Sequence, residues 1–97
     1  MKFRELLEAK IPEVEELLKT FKYGKLYATL TKLEDVDALK LKNGDDVAYI
    51  RKLYVKGFAY EIDWEKKGHK TSDEKVKSYK ELIALLDEEF GFDVLNS

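Results

Sequence analysis

The apolar residues of this chain change period twice, and that change dictates the order of its elements. Phe3, Leu7, Ile11, Val14, Leu18 and Phe21 recur at steps of four and three, the spacing of one helical stripe. From Lys25 the period becomes two, with Leu26, Ala28 and Leu30 alternating with Tyr27, Thr29 and Thr31. Val76, Tyr79, Ile83, Leu86 and Phe90 then return to helical spacing. A side chain repeats its direction every 3.6 residues in a helix and every two in a strand, so each stretch can bury its apolar set in only one of the two forms. The expected fold is α+β. An N-terminal helix is followed by an antiparallel meander of three to four strands, and a C-terminal helix closes the chain, both helices lying on one face of the sheet.

Local signals set the boundaries. Pro12 breaks the first stripe, because a proline inside a helix loses a hydrogen bond and clashes with the preceding turn, while at the first helical position it costs nothing. The reading is a short helix at about 2–10 and a firmer one from Pro12 to Lys22, with a single kinked helix as the alternative. Asn43-Gly44 marks a turn. Leu33 to Lys42 fits either a strand or a helical turn. Lys56-Gly57 reads as a tight reversal that sets Val55 opposite Phe58 and Leu53 opposite Tyr60, and Ile50, out of phase with Leu53, asks for a β-bulge near Arg51-Lys52. Lys66 to Lys70 reads as a polar loop. Thr71 with Glu74 three residues later reads as a capping box that opens the last helix, and Gly91 stops it. Trp64, Tyr60, Leu53, Leu26, Leu18, Ile83 and Leu86 fall on the apolar faces and form the expected core.

The 97 residues hold one domain, 1–97, in which folding can bury about 65% of the unfolded chain's surface. Absence of cysteine excludes disulfides, Cys-ligated metal centres and thiol chemistry, and weakly favours an intracellular, cytoplasmic home. The longest apolar run, Leu82 to Leu86, is far too short to span a bilayer, so no membrane is expected. With 18 basic against 20 acidic residues, the surface as a whole is not built for nucleic acid.

Catalytic signatures are weak. The only histidine, His69, sits among lysines in Lys-Lys-Gly-His-Lys, which disfavours its charged form and offers no carboxylate to orient it. Glu61, Asp63 and Glu65 share a strand face about 7 Å apart, within the range of glycosidase carboxylates. Cross-strand Lys52 would neutralise Glu61, and a solvated face is the simpler reading. Asp35-Val36-Asp37 and Asn43-Gly44-Asp45-Asp46 carry oxygens but lack the alternation and closing Glu of a calcium loop. No enzyme, cofactor, metal or small-molecule ligand is expected.

Two surfaces stand out. Tyr27, Thr29, Thr31, Lys52, Tyr54, Lys56, Glu61 and Asp63 lie opposite the apolar face, where exposed aromatics beside cations suit partner recognition. The second is a step in charge. Residues 66–80 carry six lysines against Asp73 and Glu74, net +4, whereas residues 81–97 carry five acids and no base, net −5. Lys75, Lys77 and Lys80 would then open the last helix and Asp87, Glu88 and Glu89 would close it, against the macrodipole. The expected contact set is Tyr27, Thr29, Lys52, Tyr54, Lys56, Lys75, Lys77, Lys80, Glu88 and Glu89, for a protein partner first and a nucleic acid second.

The stretch Val47 to Phe90 resembles a chromodomain in its run of strands through Val55-Lys56-Gly57 and Phe58-Ala59-Tyr60-Glu61-Ile62-Asp63-Trp64-Glu65 and in its closing helix with Leu82-Ile83 and Phe90. The resemblance implies an aromatic cage at Tyr49, Tyr60 and Trp64, rings that the alternation buries. The helix-strands-helix order is similar to that of double-stranded RNA-binding domains. In format, a short cysteine-free α+β domain resembles the small inhibitors that phages use against host defence, anti-CRISPR proteins included. The expectation is a non-enzymatic binding protein, a small inhibitor or adaptor that occupies a host macromolecule through its sheet face and charged last helix. The alternative is a nucleic-acid-binding or chromodomain-like module using Lys66 to Lys80 and the exposed tyrosines.

Overall fold

The computed structural model describes residues 11–22 and 24–95. The helix expected at about 2–10 lies outside them. Helix α1 (Val14–Phe21) sets Val14, Leu17 and Phe21 into the core, with Leu18 packed beside them. Five strands follow: β1 (Tyr27–Leu33), β2 (Val36–Asn43), β3 (Asp46–Lys52), β4 (Tyr60–Lys66) and β5 (His69–Val76), and then helix α2 (Tyr79–Phe90). The sheet order is β1-β2-β3-β4-β5, with every neighbouring pair antiparallel. The meander is thus one strand longer than the sequence patterns indicate.

Register explains the core. Leu39 faces Ile50, Leu41 faces Ala48, Ala48 faces Trp64 and Ile50 faces Ile62, so these side chains point to one face of the sheet. They join Val14, Leu17 and Phe21 of α1 and Leu82, Leu86 and Phe90 of α2 in one buried cluster, where the Trp64 and Phe90 rings lie 5.8 Å apart. Among the described residues both helices pack on this face. The other face carries Tyr27, Thr29, Lys40, Lys42, Tyr49 and Arg51, and its buried members, Ala38, Val47 and Glu61, stand outside the cluster. Of the expected core, Trp64, Tyr60, Leu26 and Leu86 lie in the cluster, Leu18 and Ile83 are half-buried against it, and Leu53 stands outside it, because β3 ends at Lys52.

Three of the four hairpin connections are two-residue turns. Glu34 (φ 51°) and Asp35 (φ 69°) join β1 to β2, Gly44 (φ 65°) opens the turn before β3, and Lys67 (φ 53°) with Gly68 (φ 83°) joins β4 to β5. Positive φ at both central residues of the first and last of these turns matches the twist of the flanking strands. Leu33 to Lys42 is accordingly strand, turn and strand rather than a helical turn.

The last helix starts later than Thr71 indicates. Thr71 and Glu74 lie in β5, whose first seven residues are all exposed. The cap is Ser78, whose hydroxyl accepts from the Glu81 N–H at 3.1 Å, while the Glu81 carboxylate accepts from the Lys77 N–H at 3.2 Å. Gly91 ends the helix in the left-handed conformation, φ 81°, and donates to the Asp87 carbonyl. No bulge occurs at Arg51-Lys52. The sheet is irregular instead at Trp64/Glu65, opposite β5, where the Thr71 hydroxyl donates to the Trp64 carbonyl at 3.3 Å. Among the described residues no helix is long and apolar enough to cross a membrane.

Candidate functional site

The connection from β3 to β4 differs from the other three. The Leu53 N–H donates to the Ala59 carbonyl at 2.8 Å and the Ala59 N–H to the Val76 carbonyl at 2.8 Å, so the pairing of Lys52 with Tyr60 continues one step and then opens. Residues 54–58 project beyond it, with Gly57 at φ 93° and the Phe58 N–H donating to the Val55 carbonyl at 3.2 Å. Tyr54 is 81% exposed, Val55 59% and Phe58 38%, which places three large apolar side chains in water on one short loop. Such a cluster is unfavourable unless something covers it.

The loop is held in place. Glu13, the N-cap of α1, makes no side-chain bond to its own helix. Its carboxylate instead accepts from the Tyr54 hydroxyl at 2.7 Å and from the Lys52 ammonium. Those bonds, from Lys52 first and Tyr54 second, hold the Glu13 carboxyl below the ordinary glutamate range. The Lys52 ammonium also lies 5.3 Å from the centre of the Tyr54 ring, and Lys75 reaches over Phe58 at 5.8 Å. Beside Tyr54 a groove of about 380 Å³ runs between the start of α1 and the β1–β2 turn. Beneath the loop, buried Tyr60 donates its hydroxyl to the Pro12 carbonyl, and burial pushes that hydroxyl's pKa upward.

Four residues of the expected contact set therefore meet here, Lys52, Tyr54, Lys56 and Lys75, but not on the open sheet face. Lys52 faces Tyr60 across the strands and so points to the helix-covered side, and Tyr54 and Lys56 lie beyond the strand. Lys52 shares the face of Ile50 because the bulge expected at Arg51-Lys52 does not occur, and Tyr54 and Lys56 leave the sheet because β3 stops at Lys52. Tyr27 and Thr29 are on the open face, 65% exposed and half-buried respectively, yet Tyr27 pairs with Lys42 at the opposite end of the sheet from the loop. The two tyrosines do not form one surface.

The charge step also dissolves. Lys75 lies on β5 and Lys77 precedes the cap, leaving Lys80 alone of the three inside α2. Lys66 pairs with Asp46 at 3.8 Å and Lys70 with Asp73 at 3.2 Å. Asp87 has a structural role, since its carboxylate accepts from the Val94 N–H at 2.8 Å and ties down the tail. Glu88 and Glu89 are exposed on the last turn.

The acidic strand face is real but occupied. Glu61, Asp63 and Asp73 bring carboxylate oxygens within 4.8 Å of one another. Arg51, not Lys52, stands opposite Glu61 and donates to it through both Nε, at 2.7 Å, and a terminal nitrogen. That paired contact occupies the Glu61 carboxylate with the guanidinium beside it. His69 is exposed at the start of β5. The aromatic cage implied by the chromodomain resemblance does not form, because Tyr60 and Trp64 are buried under the helices while Tyr49 lies on the other face, near Lys40.

Comparison of the chain with protein-family models, with curated proteins and with solved structures gives no match.

Proposed function

We propose that this chain is a non-enzymatic binding protein that engages a protein partner through the β3–β4 loop, with Tyr54 and Phe58 as anchors. The observation that carries the reading is the concentration of exposed Tyr54, Val55 and Phe58 on a loop whose leading ring is already oriented by Glu13 and Lys52. A pre-positioned aromatic loses little freedom on binding, and buried aromatic anchors dominate interface energies. Lys56 and Lys75 beside the loop suit a partner whose pocket has an acidic rim. The size and cysteine-free composition fit a cytoplasmic inhibitor or adaptor of the kind phages direct at host defence. Nucleic acid is the weaker reading, because the lysines of residues 66–80 scatter over β4, β5 and α2 and two of them are paired with acids.

The test begins with capture of the partner from the source cells by the tagged full chain. Tyr54→Ser with Phe58→Ser should weaken that complex by at least about thirtyfold, with little change in melting temperature, since both rings are exposed. A second variant replaces residues 54–58 by Asn-Gly, closing Leu53 and Ala59 with a two-residue turn. It should stay folded and bind nothing. Retention of the partner by both folded variants overturns the reading, and capture of nucleic acid with affinity falling steeply in salt establishes the other.

A further inference from the structure

The two edges of the sheet are defended very differently. A sheet edge offers unpaired backbone groups to any extended chain, and proteins blunt it with charges and bulges. Strand β5 is so protected: it carries Lys70, Asp73, Glu74 and Lys75 and is irregular opposite Trp64/Glu65. Strand β1, Tyr-Ala-Thr-Leu-Thr-Lys-Leu, carries the single charge of Lys32, already paired with Asp37 at 2.9 Å. Among the described residues no strand pairs with its outer side. Tyr27 is 65% exposed and Leu30 39%, on opposite faces of the sheet.

We infer that β1 pairs antiparallel with β1 of a second copy about a two-fold axis through Leu30, joining two sheets into one. The strand is complementary to itself in that register alone of those centred on an exposed apolar residue of its middle. Leu30 meets Leu30 on the helix-covered side. Thr29 meets Thr31 of the second copy and Tyr27 meets Leu33, both on the open side, so each facing pair shares a face as an antiparallel ladder requires. Lys32 falls opposite Ala28, and the two Lys32 residues stand roughly 14 Å apart along the strands, beyond a Debye length of about 8 Å. The same pairing of β5 would crowd its charged side chains together. Seven residues per strand make a small contact, so dissociation on the order of micromolar is expected. The inference does not depend on the loop that binds the proposed partner, which lies at one end of the sheet rather than along this edge.

Sedimentation of the full chain across concentrations should show a monomer giving way to a dimer. Leu30→Lys and Leu30→Glu, each placing like charges on the axis, should each weaken dimerisation by at least about tenfold. An equimolar mixture of the two should restore it. Because the chain has no cysteine, Leu30→Cys provides a single thiol that should form an intermolecular disulfide on mild oxidation, the facing Cα atoms being about 4.5–5.5 Å apart. Ser72→Cys on β5 should not. A chain that stays monomeric up to about 1 mM, far above the dissociation range of even a small specific contact, overturns the inference. So does a dimer indifferent to Leu30→Lys, or one that cross-links through Ser72→Cys instead.

Discussion

The connection between β4 and β5 reverses the chain in two residues, Lys67 and Gly68, while the one between β3 and β4 leaves five residues outside the last backbone bond between its strands. Both perform the same topological task in the same sheet. The tight turn is filled with a charge and a glycine, as geometry demands. The wide one is filled with Tyr54, Val55 and Phe58, which no turn requires and which water disfavours. Structure that exceeds its local need, on an otherwise economical sheet, is where an interaction is best sought.

The largest effect is expected at the base of the wide loop. Tyr60 is fully buried and reaches the Pro12 carbonyl, so Tyr60→Ala should cost about 3–5 kcal/mol in chemical denaturation. A cost near 1 kcal/mol, typical of an ordinary substitution, would mean that the loop does not rest on the core. Next, glycine at positive φ should matter more where the turn is tight. Gly68→Ala, at φ 83° between paired Lys66 and His69, should cost about 1–2 kcal/mol, whereas Gly57→Ala at φ 93° should cost less than about 0.5 kcal/mol, because the longer loop can re-form around it. Equal costs would erase the distinction between the two connections.

The first hairpin sharpens the point in the opposite direction. Glu34 and Asp35 both hold left-handed conformations without being glycine or asparagine. Replacing them by Asn-Gly should raise stability by about 1 kcal/mol, read as a higher denaturation midpoint with unchanged slope. The smallest effect concerns Glu13. Its folded pKa lies below the ordinary value near 4.5, because the Lys52 ammonium and the Tyr54 hydroxyl donate to its charged form. Its contribution is therefore complete above about pH 4.5 and is lost as pH falls through the lower folded value. Glu13→Gln should flatten the dependence of melting temperature on pH below 4.5 and leave it unaltered at neutral pH, where the mutant should merely be less stable by a constant amount.

How much of this could be read before any coordinates were known depended on whether a segment has a buried side. Helix α1 and the placement of Trp64, Tyr60 and Leu86 in the core follow from apolar spacing, since each has one face against the core, while the turn at Gly44 follows from its residue type. Strand β5 has no such signature. Seven of its eight residues are exposed, so nothing alternates, and its extended form is imposed by the Lys67-Gly68 turn and by pairing with β4. That absence let Thr71 and Glu74 pass for a helix cap when the genuine one, Ser78 with Glu81, lay a few residues on. The register of the loop failed for a related reason. Val55, Lys56, Gly57 and Phe58 look like a tight turn between apolar residues, and only the exposure of those residues shows that the alternation stops at Lys52. Lys52, Tyr54, Lys56 and Lys75 were legible as candidate contact residues, but the clamp by Glu13, 41 positions before Tyr54, had no signal in spacing at all.

The nearest-neighbour order of the strands also sets a sequence in time. Each hairpin closes over a short stretch of chain, and low separation between contacting residues favours quick assembly. The contacts of Glu13 with Lys52 and Tyr54 and of Pro12 with Tyr60 span 39, 41 and 48 positions, and such closures cost more chain entropy than any hairpin. On chain entropy, docking of α1 is expected to come late. Until it occurs the Tyr54 hydroxyl lacks the Glu13 carboxylate that orients its ring, so the proposed binding surface is finished only when the fold itself is.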